Sequence, residues 1–203
     1  MDLGLTGKHA LVTGSTGGIG FAIARGLAAE GASVVVTGRT RATVDGALKR
    51  MRETVPTAKL TGLVADCATA AGADTVFAAV PELDIVVNNL GIYGRRPAFE
   101  ITDEEWRTFF EVNVMSGIRF ARHYAPGMAK RGWGRVVFVS SESALNIPKE
   151  MIHYGMTKTA QLSIMRGMAM ELAGSGVTVN ALLPGWIDTD LTEFLRRDDA
   201  SVE

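Results

Sequence analysis

Short apolar runs alternate with amphipathic stretches along nearly the whole chain. The runs at 8–13, 32–37, 60–65, 84–88, 135–140 and 177–182 have strand length and hold Val, Leu and Ala at neighbouring positions, as strands buried on both faces do. Helical patterns occupy 21–30, 41–53, 69–79, 103–130 and 154–173. Strict alternation of strand and helix predicts a parallel sheet covered on both sides, because consecutive parallel strands need crossover connections. The fold class predicted is α/β, a Rossmann-like three-layer αβα sandwich.

Composition narrows the function classes. With 203 residues, 47% of them hydrophobic, and no long polar tract, repeat or linker, the chain reads as one domain over 1–203. A formal net charge of −1 gives no basis for binding nucleic acid. Cys67 is the only cysteine, and no basic, then apolar, leader precedes the first run, so a cytoplasmic location is expected. No apolar run approaches the ~20 residues that span a bilayer, so no membrane partner is expected, and no metal site is read.

Two segments carry candidate chemistry. The run 8–13 enters Gly14-Ser15-Thr16-Gly17-Gly18-Ile19-Gly20, after which helical composition begins at Phe21. Glycines permit a tight turn and close backbone approach, and the following helix N-terminus offers unpaired N–H groups, so an anion such as a pyrophosphate is expected there. Near the other end, Tyr154 and Lys158 stand four residues apart, with Ser141 thirteen residues before the tyrosine. A phenol and an ammonium at this spacing share a helix face, so the cation can stabilise the phenolate. An unperturbed tyrosine titrates near pH ~10, and each unit of downward shift takes about 1.4 kcal/mol. Tyr-x-x-x-Lys also occurs by chance on amphipathic helices with no chemical role.

Taken together, Thr13-Gly14-x-x-x-Gly18-Ile19-Gly20, Asn88-Asn89-Leu90-Gly91, Asn113, Ser141, Tyr154-x-x-x-Lys158 and Pro184-Gly185-x-Ile187-x-Thr189 resemble the short-chain dehydrogenase/reductase family. The nearest flavour is that of the 3-oxoacyl-carrier-protein reductase-like oxidoreductases. The resemblance implies hydride transfer between a nicotinamide and a carbonyl or secondary alcohol, the substrate being a 3-oxoacyl thioester or related ketone. It implies that Tyr154 is the general acid and base, that Ser141 orients the carbonyl, and that Lys158 lowers the tyrosine pKa and binds the nicotinamide ribose. Asn113 would hold a relay water. Cofactor contacts are implied at Gly14, Ser15, Thr16, Gly18, Ile19 and Gly20, at Asp66 for the adenine, and at Asn89 and Gly91 for the adenosine ribose. Pro184, Gly185, Ile187 and Thr189 would hold the carboxamide. Leu90 departs from the small alanine usual in its turn and narrows the space beside the nucleotide.

The end of the second strand reads Thr37-Gly38-Arg39-Thr40-Arg41, without the acid that receives an NAD ribose. A guanidinium can bind the 2′-phosphate in a fork, so Arg39 points to NADP(H) over NAD(H), with Arg41 as second candidate. A solvated arginine is the alternative for Arg39, as structural capping is for Asp66. Ser140 should face away from its neighbour Ser141 by strand alternation. His153 is read as cleft lining or surface without a proton role. Ala144, Leu145, Ile147, Met151, Tyr93 and Trp186 could line the cleft, which suits a ketone or acyl chain better than a sugar.

Relatives in the resembled family continue past the Pro-Gly turn with substrate-covering helices and a last strand. The chain ends at Glu203 in a polar stretch, so a truncated C-terminus, a missing last strand and a missing substrate segment are expected. The alternative function is therefore a nucleotide-binding or structural protein without turnover. By the same resemblance, a homodimer is expected on the helices at 103–130 and 154–173, and a tetramer if the full-length C-terminus is present. Ala160, Ser163 and Gly167 form a stripe of small residues on the second helix, facing either another subunit or the sheet.

Overall fold

The computed structural model describes residues 2–187 and 189. Six strands, β1 (His9–Val12), β2 (Ser33–Gly38), β3 (Lys59–Val64), β4 (Ile85–Asn88), β5 (Gly134–Val139) and β6 (Val177–Leu182), form one sheet in the order β3-β2-β1-β4-β5-β6. Every pairing is parallel. The helices are α1 (Gly18–Ala29), α2 (Arg41–Thr54), α3 (Ala70–Ala79), α4 (Asp103–Phe110), α5 (Ser116–Lys130) and α6 (Ile152–Glu171).

Side-chain alternation divides the apolar residues between the two faces. Ala10 and Val12 of β1, Val34 and Val36 of β2, and Ile85 and Val87 of β4 pack with Ala24 of α1 and Val44, Leu48 and Met51 of α2. Leu11, Val86, Val136 and Phe138 point the other way, onto Val76 of α3 and Phe120, Ala121, Tyr124 and Met128 of α5. The result is the three-layer sandwich expected. The chain turns back at the β1–β4 pairing, since β2 and β3 lie on one side of it and β5 and β6 on the other. Ligands collect beyond the carboxyl ends of strands at such a reversal.

The helix expected over 103–130 is not continuous. A π-helical turn at Glu111–Met115 separates α4 from α5 and contains the buried Asn113. Threonines cap three helix starts: Thr40 accepts the Thr43 N–H at α2, Thr69 that of Gly72 at α3, and Thr102 that of Glu105 at α4. Glu105 returns a bond to the Thr102 N–H and pairs with Arg96, which together hold its carboxyl down at about 2. No described helix is long and apolar enough to cross a membrane.

Candidate active site

One cleft of about 1960 Å³ runs across the carboxyl ends of the strands, from Arg39 and Asp66 to Ser141, Tyr154 and Trp186. That exceeds the ~300–1,000 Å³ of sites for drug-sized ligands, leaving room for a dinucleotide with a small molecule beside it.

Gly14, Thr16, Gly18, Ile19 and Gly20 line the middle of the cleft. Gly17, the residue before α1, makes no side-chain capping bond, and the first turn of α1 carries no acid, so its leading N–H groups face the cleft uncapped. Gly14 adopts φ +64°, which glycine takes without strain, and a Cβ on Gly20 would stand 2.4 Å from Asn89 Nδ2 and 2.6 Å from the Gly14 carbonyl. Asn89 explains this crowding: its amide donates to the Thr13 and Gly14 carbonyls at 2.9 and 3.2 Å. It shapes the loop from beneath. Ser15 departs from expectation. It is fully buried and does not line the cleft, because its hydroxyl accepts the Thr37 N–H at 3.0 Å and its own N–H donates to the Thr37 carbonyl.

At the adenosine end, Arg39 lines the cleft and has no ion pair among the described residues. Arg41 does not line it and pairs with Asp45 one helical turn on, at 3.6 Å. Sequence reading missed Arg50. From the exposed face of α2 its Nη2 donates to the Thr16 carbonyl at 2.6 Å, with the guanidinium 4.7 Å over the Phe21 ring. Thr16 in turn lies against Gly38, where a Cβ would meet its methyl at 2.5 Å. Asp66 lines the cleft, and one of its carboxylate oxygens takes the Ala68 N–H at 3.1 Å, while the cap of α3 is Thr69. Leu90 rests its side chain on Gly14, 3.2 Å from where a Cβ would be.

At the opposite end, Ser141 stands two residues past β5, capping the turn at Glu142–Ala144, and Tyr154 and Lys158 rise from the first turns of α6. The Tyr154 phenol lies near the Ser141 hydroxyl, whose oxygen accepts the Ser143 N–H at 3.1 Å. Ser140 faces away as expected, donating to the Lys158 carbonyl at 2.9 Å. Lys158 is 4% exposed, and its ammonium donates to the Val139 carbonyl at 2.9 Å, 5.5 Å from the centre of the tyrosine ring. Burial pulls this lysine down to about 8. The lowered tyrosine expected from the spacing is absent here. Burial holds the phenol above its ordinary value, the Ser141 hydroxyl draws it back, and Tyr93 raises it further. Burial of the phenol is the largest cause, and the ammonium, 5.5 Å from the ring centre, does not offset it.

Asn113 is more tightly committed than a relay role suggests. Its amide donates to the Ile92 carbonyl at 2.9 Å and to Thr157 at 3.0 Å, and its oxygen accepts the Ile92 N–H at 2.7 Å. Gln161 donates to its main-chain carbonyl at 2.6 Å, which the π turn leaves available. Asn113 thus fixes the Gly91–Ile92 backbone, and Gly91 leaves room for both Asn113 Oδ1 and Lys158 Nζ, 3.4 and 3.5 Å from where a Cβ would sit. His153 is neither cleft lining nor surface. It is 2% exposed, with its ring 4.0 Å from that of Phe109 and 6.1 Å from that of Trp106.

Pro184, Gly185, Ile187 and Thr189 line the cleft beside Trp186. Of the apolar lining expected, Tyr93, Met151 and Trp186 are present, while Ala144, Leu145 and Ile147 are not. Ala144 is buried under the turn at Glu142–Ala144, and Ile147 packs over Gly155, where a Cβ would meet it at 2.6 Å. Polar residues stand there instead: Glu142, Ser143, Asn146, Lys149, Glu150 and Arg95. Among the described residues no group of His, Cys, Asp and Glu side chains could hold a metal.

A model of the short chain dehydrogenase family matches residues 8–200. The uncharacterized oxidoreductase YvaG of Bacillus subtilis is 48% identical over 195 residues, 96% of this chain and 74% of that protein. Among solved structures, L-sorbose reductase of Gluconobacter frateurii, complexed with NADPH and L-sorbose, superposes with a TM-score of 0.89 at 33% identity, covering 98% of this chain and 78% of that one. A Beutenbergia cavernae protein assigned as an NAD(P)-dependent gluconate 5-dehydrogenase, with bound NADP at low occupancy, gives 0.88 at 36%, covering 97% and 79%. Its glycine loop, its serine, tyrosine and lysine in one cleft, and these matches place the chain in the short-chain dehydrogenase/reductase family of oxidoreductases.

Proposed function

We propose that the protein is an NADP(H)-dependent oxidoreductase interconverting a ketone and a secondary alcohol. The observation that carries this reading is the convergence of the Ser141 hydroxyl, the Tyr154 phenol and the Lys158 ammonium at one end of a cleft whose middle presents uncapped helix N–H groups. The residues fit the cofactor. The loop at Gly14–Gly20 and the start of α1 suit its pyrophosphate, Arg39 with its unspent guanidinium suits a 2′-phosphate, and Asp66 retains acceptor capacity for the adenine amine. Two relatives solved with NADP or NADPH support the same choice.

When bound, the nicotinamide supplies the hydride in reduction and receives it in oxidation. The rest of the chemistry falls on this chain. Ser141 and Tyr154 donate hydrogen bonds to the substrate oxygen, fixing the carbonyl and stabilising charge that develops on it. In reduction the phenolic proton passes from Tyr154 to that oxygen, and in oxidation the phenolate takes it back. Lys158, which lines the cleft, would bind the nicotinamide ribose, a contact that would supply its buried ammonium with further acceptors. Asn113 holds the Gly91–Ile92 wall, with oxygen lone pairs left to position a relay water.

A homodimer through α4, α5 and α6 belongs to the same reading. Ser163 and Gly167 are exposed, and nothing lies within 4 Å of a Cβ on Gly167, so the small stripe on α6 faces away from the sheet. Fluorescence titration with NADPH and NADH, followed by NADPH oxidation over a panel of ketones, tests the function. Tight NADPH binding with turnover of at least one ketone is expected. Binding without turnover across the panel would favour a nucleotide-binding protein.

A further inference from the structure

We propose that the cleft selects a polyhydroxylated ketone, or the polyol formed from it, and that Glu142 recognises the hydroxyls beside the reacting carbon. This rests on the oxidoreductase reading above. Glu142 directly follows Ser141, and its backbone is fixed from both sides: its N–H donates to the Pro184 carbonyl at 3.0 Å, and its carbonyl accepts the N–H groups of Leu145 and Asn146 at 2.9 and 3.0 Å. The carboxylate is thereby laid over Gly185, its oxygens 3.1 and 3.8 Å from where a Cβ would stand. Ser141 and the Pro184–Gly185 turn bracket it, so it flanks the reacting centre.

No hydrogen bond or ion pair engages this carboxylate among the described residues, although Arg95 and Lys149 line the same cleft. A substrate seated against it displaces its water. An alkyl chain would leave the charge desolvated and unpaired, which is costly, whereas hydroxyl groups restore the lost hydrogen bonds. A carboxylate or phosphate near the reacting carbon would be repelled. Hydroxyl groups meet both conditions. Ser143 and Asn146 extend the polar wall outward and carry no side-chain bonds to other described residues. The wall is ill suited to the 3-oxoacyl chain considered from the sequence.

The test compares kcat/KM for ketopentoses and ketohexoses with that for 2-hexanone, in the wild type, Glu142→Gln and Glu142→Ala, alongside the NADPH Kd of each. The wild type is expected to favour at least one ketose over 2-hexanone by tenfold or more. Glu142→Ala should lower the ratio of the two by about ten- to a hundredfold, mostly through KM, as expected for lost hydrogen bonds to a charged group. Glu142→Gln, which keeps one acceptor, should fall between. Preference of the wild type for 2-hexanone, no ketose turnover by NADPH-loaded protein, or an unchanged ratio in Glu142→Ala would each overturn the inference. A tenfold rise in the NADPH Kd of Glu142→Ala would overturn it too, by placing the carboxylate on the cofactor. Failure of the wild type to bind NADPH at all would instead defeat the oxidoreductase reading.

Discussion

Arg50 of α2 reaches 34 positions back along the chain to the carbonyl of Thr16, tying the exposed face of a helix to the crown of the glycine loop with a 2.6 Å hydrogen bond. The Phe21 ring beneath the guanidinium keeps it in place. Arg50→Met should loosen the loop, raising the Kd for NADPH and for NADH alike by about fivefold, or ~1 kcal/mol. Thermal unfolding without cofactor should hardly change. Loss of NADPH affinity alone would mean that Arg50 touches the 2′-phosphate instead.

Arg39 should behave in the complementary way. Arg39→Ala is expected to weaken NADPH about ten- to a hundredfold, the ~1.5–3 kcal/mol of a charge-assisted bond, and to leave NADH nearly unaffected. Isothermal titration with both cofactors measures this. Equal wild-type affinities would show that the end of β2 does not choose between them.

Much of this was legible in the sequence, and the exceptions share a cause. The six strands follow from short apolar runs, a signal contained within each segment, although only the inner β1, β2 and β4 are buried along nearly their whole length and the edge strands β3 and β6 are not. The serine, tyrosine and lysine follow from spacing, and the structure does bring them to one place. Ser15 and His153 depart from the sequence reading, and Asn113 is held more tightly than it suggested, because their partners, Thr37, Phe109 and Ile92, are distant in sequence, and no local pattern announces a hydrogen bond or ring contact made through the fold. The π turn at Glu111–Met115 was legible only as an asparagine badly placed in a helix. Arg50 and Glu142 carried no signal beyond their charge.

Lys158 should leave a mark on stability. Its pKa falls from 10.5 to about 8, so below pH 8 the cofactor-free protein bears a buried ammonium, a penalty of about 3 kcal/mol. Between pH 8 and 10.5 the unfolded chain holds a proton the native state has released, so stability from this group rises with pH. Lys158→Met should therefore be the more stable protein at pH 7 by up to ~3 kcal/mol, less the lost bond to Val139, and its advantage should shrink toward pH 10.5. Urea unfolding of both proteins across this range checks it. An advantage independent of pH would mean the lysine is not penalised by burial.

Gly167 tests the proposed dimer. A Cβ there would have nothing within 4 Å and Gly167 is exposed, so Gly167→Leu should fold normally. It should nevertheless obstruct close approach of a second α6, shifting the light-scattering mass toward the monomer. A mutant that assembles like the wild type would place the small stripe outside the interface.

The central claim is that Tyr154 passes the proton within a preformed cleft, and Tyr154→Phe measures it most directly. The ring and its packing remain, so the NADPH Kd by fluorescence titration should stay within about threefold of wild type, while kcat on a ketone the wild type reduces should fall by 10²-fold or more, about the contribution of a positioned acid. A Tyr154→Phe protein that reduces that ketone at the wild-type rate would contradict the account.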